Sequence, residues 1–217
     1  MLAGYHGSRL EQDSRRDVVW KALWRYHFRK LVPAHGCVLD LGCGYGEFIN
    51  NVVARRRIGL DMWDGISRHL DQGVEAIVSS VTDLGQIEDG SVDFAFASNL
   101  FEHIPQADFA AVLKALRTKL APGGTLNILQ PNYRYAYREY FDDYTHVSVY
   151  SHISLADFLT ANDYEVFDMR PRFLPLTVKS RMPVWPPLIG LYLNSPVKPL
   201  AKQMFVRARP AERQAAE

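Results

Sequence analysis

The sequence predicts an α/β fold, a mostly parallel sheet with helices on both faces. Three observations lead there. Short apolar runs alternate with amphipathic stretches through the first two thirds of the chain, which calls for parallel strands joined by right-handed crossovers. A glycine-rich turn, Gly42-Cys43-Gly44-Tyr45-Gly46, follows the first run. Polar or acidic residues close the later runs at Asp61, Asp83 and Ser98-Asn99, on the carboxyl edge where such sheets bind ligands.

Taken in order, residues 15–32 carry Trp20, Leu23, Trp24, Phe28 and Leu31 at helical spacing, with Lys21, Arg25 and Arg29 off the stripe. His27 falls on that stripe and reads as a packed core or lid residue. Pro33 and Gly36 break the helix. Cys37 to Leu41 is a buried strand. After the glycines a helix is expected from Glu47 to about Arg55. Ile58–Asp61, Ala76–Val78 and Val92–Ala97 are the second, third and fourth strands. Asp108 can cap a helix with Phe109, Val112, Leu113, Leu116 and Leu120 inward, which Ala121-Pro122-Gly123-Gly124 stops. Thr125–Leu129 is the fifth strand.

Beyond Pro131 the pattern turns polar and aromatic. Ser154-Leu155-Ala156-Asp157 reads as a capping box opening a short helix, and 165–169 and 203–208 read as closing strands. The expected organisation is a helical lid over 1–35, a core over 36–170, a Pro-rich cap over 171–202, a closing strand over 203–209 and a disordered tail over 210–217. The prolines of 171–202 argue that this segment does not extend the sheet, so it caps the acceptor side or forms an oligomer surface such as a homodimer contact.

The 217 residues, 47% hydrophobic and 23% charged, suit one well-cored domain. A net charge of +1 gives little support to a nucleic-acid partner. No apolar run reaches the roughly 18 residues of a membrane span. The polar N-terminus lacks the apolar core of a secretory signal, and two cysteines make no disulfide framework. The expectation is a cytoplasmic protein.

The stretch DLGCGYGEF, residues 40–48, carries the most information. Glycines there let the chain bend sharply and let a ligand lie against the backbone. Glu47 occupies the place of the third glycine of a dinucleotide fingerprint, so that motif is absent. Asp61 closes the second strand where a nucleotide site sets a carboxylate for ribose hydroxyls, and Asp83 can accept from an adenine amine. VLDLGCGYGEF, IGLDMW, VTDL, SNLFEHI and LAPGGTLNI, in that order, resemble the motifs of class I S-adenosylmethionine-dependent methyltransferases. The resemblance covers about residues 35–170 and implies a Rossmann-like, seven-stranded sheet. It also implies S-adenosyl-L-methionine as the donor. Asp40 would then lie near the methionine amine, Gly42, Cys43 and Gly44 would line the methionyl and ribose portion, and Asp61 would hold the ribose diol. Met62 would pack on the adenine, Asp83 and Leu84 would meet its edge, and Ser98 and Asn99 would face the amino-acid end. Cys43 itself reads as a small side chain filling a tight space.

For the acceptor, SNLF stands where amino-methylating nucleic-acid enzymes of this class carry an N-P-P-Y-type motif. A small molecule is therefore expected. The segment from Asp142 to Pro175 loosely resembles a subgroup found among bacterial glycan- and sugar-modifying enzymes. Tyr133, Tyr140 and Tyr144 offer apolar faces and hydroxyl tips suited to a sugar, though they could equally pack on their own sheet. A lipid or quinone, an amine acceptor, and a donor-binding module without turnover are the alternatives.

YFDDYTHVSVYSH, residues 140–152, combines acids, imidazoles and aromatics. His146 is the expected general base, with Asp143 orienting it and Asp142 as substitute or substrate contact. His103 is a second candidate, and Glu102 reads as structural or donor-adjacent. No metal is expected. The rival reading gives a metal to Asp142, Asp143, His146 and His152, whose spacing follows no firm ligand pattern.

Overall fold

The computed structural model describes residues 14–175 and 184–212. Its strands are β1 (Cys37–Leu41), β2 (Arg56–Asp61), β3 (Val74–Val78), β4 (Val92–Ser98), β5 (Leu120–Pro131), β6 (Tyr164–Pro175) and β7 (Ala201–Pro210). They form one sheet in the order β3-β2-β1-β4-β5-β7-β6. β7 runs antiparallel between β5 and β6, and the other pairings are parallel.

The α-helices are α1 (Ser14–Tyr26), α2 (Gln106–Lys119), α3 (Tyr133–Ala136), α4 (His152–Ala161) and α5 (Pro186–Asn194). Two cores sandwich the sheet. α2 and α4 set Phe109, Val112, Leu113, Leu116, Leu155 and Leu159 with Leu39, Ala95 and Ile128. On the other face α1 and α5 set Leu23 and Leu193, with Phe28 just beyond α1, among Val38, Phe94, Phe96 and Phe205. Alternate residues of one strand thus serve opposite cores, and β1 is buried throughout, as a central parallel strand must be.

Several expectations change. Glu47–Arg55 is no α-helix but a 3₁₀ turn at Ile49–Asn51. The Asn51 amide donates to the Glu47 carbonyl, and Asn50 bridges to the His69 carbonyl and the Asp71 N–H. Such side chain–backbone bonds compete with helix propagation. Asp108 lies inside the first turn of α2, where its charge suits the helix dipole, while Pro105 holds the cap position without a side-chain bond. The capping box opens at Ser151, three residues earlier than expected, with Ser154 as its reciprocal partner.

The Pro-rich segment does extend the sheet. Residues 171–175 continue β6, with Leu174 opposite Gln203 and Pro175 opposite Ala201. Proline is tolerated because β6 is an edge strand. Further on, α5 packs on α1, with Gly190 tight against the Tyr26 ring. In its described part the expected cap is therefore a strand continuation and a helix on α1. Residues 176–183 of that segment, 1–13 of the expected lid and 213–217 of the expected tail lie outside the described residues. Pro210 belongs to β7 and the Ala211 N–H donates to the Asp163 carbonyl. His27 is buried among the rings of Phe28, Phe173 and Phe205. No helix among the described residues is long and apolar enough to cross a membrane.

Candidate active site

Two clusters of polar side chains meet the carboxyl edge of the sheet. The first is the turn after β1. Gly42, Gly44 and Gly46 all have positive φ, at 67°, 52° and 74°. The last two differ in what surrounds them. A Cβ on Gly46 would stand 2.6 Å from Leu70 Cδ2 and 2.9 Å from Asn50 Nδ2, whereas one on Gly44 would meet nothing within 4 Å. Gly46 is needed for packing; Gly44 opens onto space.

The Asp61 carboxylate closes this turn. It accepts from the Gly44 N–H at 2.9 Å and from the Trp63 N–H at 2.9 Å. Each oxygen keeps a further lone pair, so the group can still receive ribose hydroxyls. Asp40 is buried beside Asp61 and Glu47, and burial first, then those two charges, raises its carboxyl well above the usual range. Glu47 is raised by burial too, although it is ion-paired to Arg16 of α1. The turn is thus a small acidic basin that a positively charged group would stabilise. Cys43 is buried, with Sγ 3.1 Å from where a Cβ of Gly59 would lie. Burial pushes its thiol up, in keeping with space filling.

Other expected donor contacts are uneven. Met62 is exposed at the end of β2. Asp83 is exposed and accepts from the Gly85 N–H. The Leu84 side chain is buried in the core, so any contact it makes with an adenine edge would be through its backbone. Ser98 is half-buried, and Asn99, at φ 49°, donates its N–H to the Leu129 carbonyl and accepts from Gln203 Nε2. Sequence reasoning missed the aromatic group of Tyr45, Trp63 and His69 beside the turn, with ring centroids 4.8–5.2 Å apart. The aromatic neighbours of Gly44 and Met62 were its only signal.

The second cluster joins the 3₁₀ turn Phe101–His103, just past β4, to the loop after α3. The Glu102 carbonyl accepts the N–H groups of Val147 and Ser148 and pins the loop there. His146 Nδ1 lies 2.5 Å from the Tyr140 carbonyl. A carbonyl only accepts, so Nδ1 carries the proton and Nε2 the lone pair. His103 Nδ1 faces Thr145 Oγ1 at 2.9 Å and the Thr145 carbonyl. Since that hydroxyl donates to Asp143 Oδ1 at 2.6 Å, His103 has the same tautomer. The two rings stand 4.7 Å apart. Burial, then the His146 charge, lowers His103 to about 4. Glu102 is completely buried, among the described residues neither carboxylate oxygen has a hydrogen-bond partner, and burial, opposed in part by its own backbone N–H, raises it to about 8.

Three expectations need correction here. The oriented acceptor for His146 Nδ1 is the Tyr140 carbonyl; Asp143 is committed through Thr145 to His103 instead. Tyr140 is fully buried and its hydroxyl donates to the Ser148 carbonyl, so it shapes the loop and offers no face to a substrate. The group with metal-ligand spacing among the described residues is Glu102, His103 and His146, without Asp142, Asp143 or His152; His152 stacks on Tyr135 and contacts Asn132. Asp142 and Tyr144 are exposed, and Tyr133 is half-buried against the Tyr140 ring. Thr145, which links Asp143 to His103, had no signal in the sequence, and Glu102 was read there only as structural or donor-adjacent.

Residues 14–168 match the model of a family described as a methyltransferase domain. No curated protein matches the chain. Among solved structures, the complex of the Trm112 methyltransferase activator with a methyltransferase from Haloferax volcanii is similar, with 16% identity and a TM-score of 0.66 over 94% of this chain and 96% of that one. An S-adenosylmethionine-dependent methyltransferase from Thermotoga maritima gives 16% and 0.65, over 90% of each chain. The 1,6-didemethyltoxoflavin N1-methyltransferase of Burkholderia thailandensis, holding its substrate and S-adenosylhomocysteine, gives 17% and 0.62 over 96% and 84%. These likenesses are likenesses of fold.

Proposed function

The chain belongs to the methyltransferase domain family, and we propose that it methylates a hydroxyl of a small sugar or glycan acceptor, with S-adenosylmethionine as donor and His146 as base. The donor fits the turn after β1. Asp40 and Asp61 are buried carboxylates suited to its amine and ribose hydroxyls, and Gly44 leaves room against the backbone. Bound there, S-adenosylmethionine supplies a methyl group on a sulfonium, open to in-line displacement. The protein's part is to hold the acceptor oxygen in line, which is worth about 7–11 kcal/mol, and to take the hydroxyl proton, worth about 10²–10⁴-fold.

The observation that carries the base assignment is the anchoring of His146. With Nδ1–H held on the Tyr140 carbonyl, Nε2 is the proton acceptor and its direction is set. In the same stretch of chain, Tyr137, Phe141 and Tyr144 expose aromatic surface and Asp142 is exposed, a combination that suits a sugar face and its hydroxyls. The enzyme is read as cytoplasmic. His146→Ala is expected to lower turnover at least about 100-fold while calorimetric affinity for S-adenosylhomocysteine stays at the wild-type value. Normal turnover in that variant would remove the base assignment.

A further inference from the structure

Glu102 has no role in the mechanism above, yet its carboxyl is a buried polar group in an unfavourable setting. Its side chain is fully buried, and among the described residues both oxygens lack hydrogen-bond partners. A carboxylate in that position is costly unless a cation or a proton compensates it. Among the described residues no Arg or Lys forms an ion pair with it, and His103 Nε2 stands 4.0 Å from Oε1. One ligand-type atom each from Glu102, His103 and His146 lies within 4.8 Å of the others.

We propose that Glu102, His103 and His146 form a binding site for a borderline divalent transition metal of the Zn²⁺ or Co²⁺ type. Hydrogen-bond acceptors for the other ring nitrogen of both imidazoles are already in place. Metal-bound imidazoles characteristically donate their other N–H to a carbonyl, carboxylate or hydroxyl, which fixes tautomer and ring direction. Here His146 donates Nδ1–H to the Tyr140 carbonyl, and His103 donates to Thr145, whose hydroxyl is itself fixed by Asp143. Nε2 is thereby the ligand nitrogen of each imidazole, and that of His103 stands 4.0 Å from Glu102 Oε1.

Two imidazoles and one carboxylate favour Zn²⁺, Co²⁺, Fe²⁺ or Ni²⁺ over Mg²⁺ or Ca²⁺, which prefer oxygen ligands. A tetrahedral ion holds such atoms about 3.3 Å apart, so coordination draws the three inward by roughly an ångström and leaves a fourth position for water or an acceptor oxygen. The inference meets the proposed function at one atom: a cation on His146 Nε2 occupies the lone pair that would accept the proton. Zn²⁺ is therefore expected to inhibit turnover.

The test is titration of Co²⁺ into the purified, chelator-treated full chain, read by visible d–d absorption, without donor or acceptor. One equivalent is expected to give a tetrahedral-type spectrum. Glu102→Gln, close in size and uncharged, and His146→Ala should each weaken Co²⁺ binding at least about 10-fold, while both keep the wild-type affinity for S-adenosylhomocysteine as proof of folding. Absence of the spectrum in the wild type, or a spectrum untouched by either substitution, would overturn the site. If the site binds Co²⁺ as described but Zn²⁺ accelerates methyl transfer, the metal site stands and the metal-free base falls.

Discussion

Gly44→Ala and Gly46→Ala separate ligand room from folding in the same turn. Both residues sit in the left-handed region, with φ 52° and 74°, so an alanine at either position costs about 1–2 kcal/mol. At Gly46 the added methyl also lands 2.6 Å from Leu70 Cδ2 and 2.9 Å from Asn50 Nδ2. Overpacking of that kind adds about 1–3 kcal/mol, for a total of roughly 2–5 kcal/mol by the same two contributions. At Gly44 nothing lies within 4 Å of the methyl, so stability should fall by the backbone strain alone. The methyl would, however, project into the space assigned to the donor. We expect Gly44→Ala to weaken S-adenosylhomocysteine binding at least tenfold, about 1.4 kcal/mol. Urea unfolding measures the first effect and isothermal calorimetry the second. Because both variants share the left-handed strain, their difference isolates the contacts. Wild-type affinity in Gly44→Ala would refute the donor cradle; equal destabilisation of the two variants would refute the claim that Gly44 faces open space.

Two more outcomes follow from buried polar groups. Tyr140→Phe removes the hydroxyl bonded to the Ser148 carbonyl and should cost about 0.5–1.5 kcal/mol of stability with KM for the acceptor unchanged; a raised KM alone would restore Tyr140 as a substrate contact. His27 is held to about 3 by burial first and by the Arg170 charge next. The unfolded chain protonates it near its ordinary value of 6.5, so between those values the unfolded state binds more protons and stability falls as pH drops. Between pH 6.5 and 4 the loss is about 3 kcal/mol, and His27→Phe should flatten that part of the profile in chemical unfolding measured at each pH. An unchanged acid limb would show that His27 is not the group responsible.

The strands were legible because central parallel strands announce themselves as unbroken apolar runs, and Asp61 because a carboxylate at the end of β2 is a matter of spacing. Periodicity gave no warning that Asn50 and Asn51 would turn their amides on the backbone and shorten the expected helix. The prolines at 171 and 175 read as strand breakers because their neighbour on one side is missing only once the sheet order is known. In the candidate site the individual histidines were visible, and their partners were not. His146 and His103 come together because the Glu102 carbonyl captures Val147 and Ser148, a main-chain contact with no side-chain signature. For the same reason Asp143 looked like the orienting acid for His146, when Thr145 turns it toward His103.

The most direct test of the central claim is the fate of a deuterium-labelled methyl group. Wild-type protein is incubated with S-adenosylmethionine carrying that label and with a panel of sugar nucleotides, glycans, phenols and amines, and the products are read by tandem mass spectrometry. The expected result is label on a hydroxyl oxygen of a sugar or glycan. Label on an amine nitrogen would contradict the hydroxyl reading, and no transfer to any acceptor by protein that still binds S-adenosylhomocysteine would contradict catalysis itself.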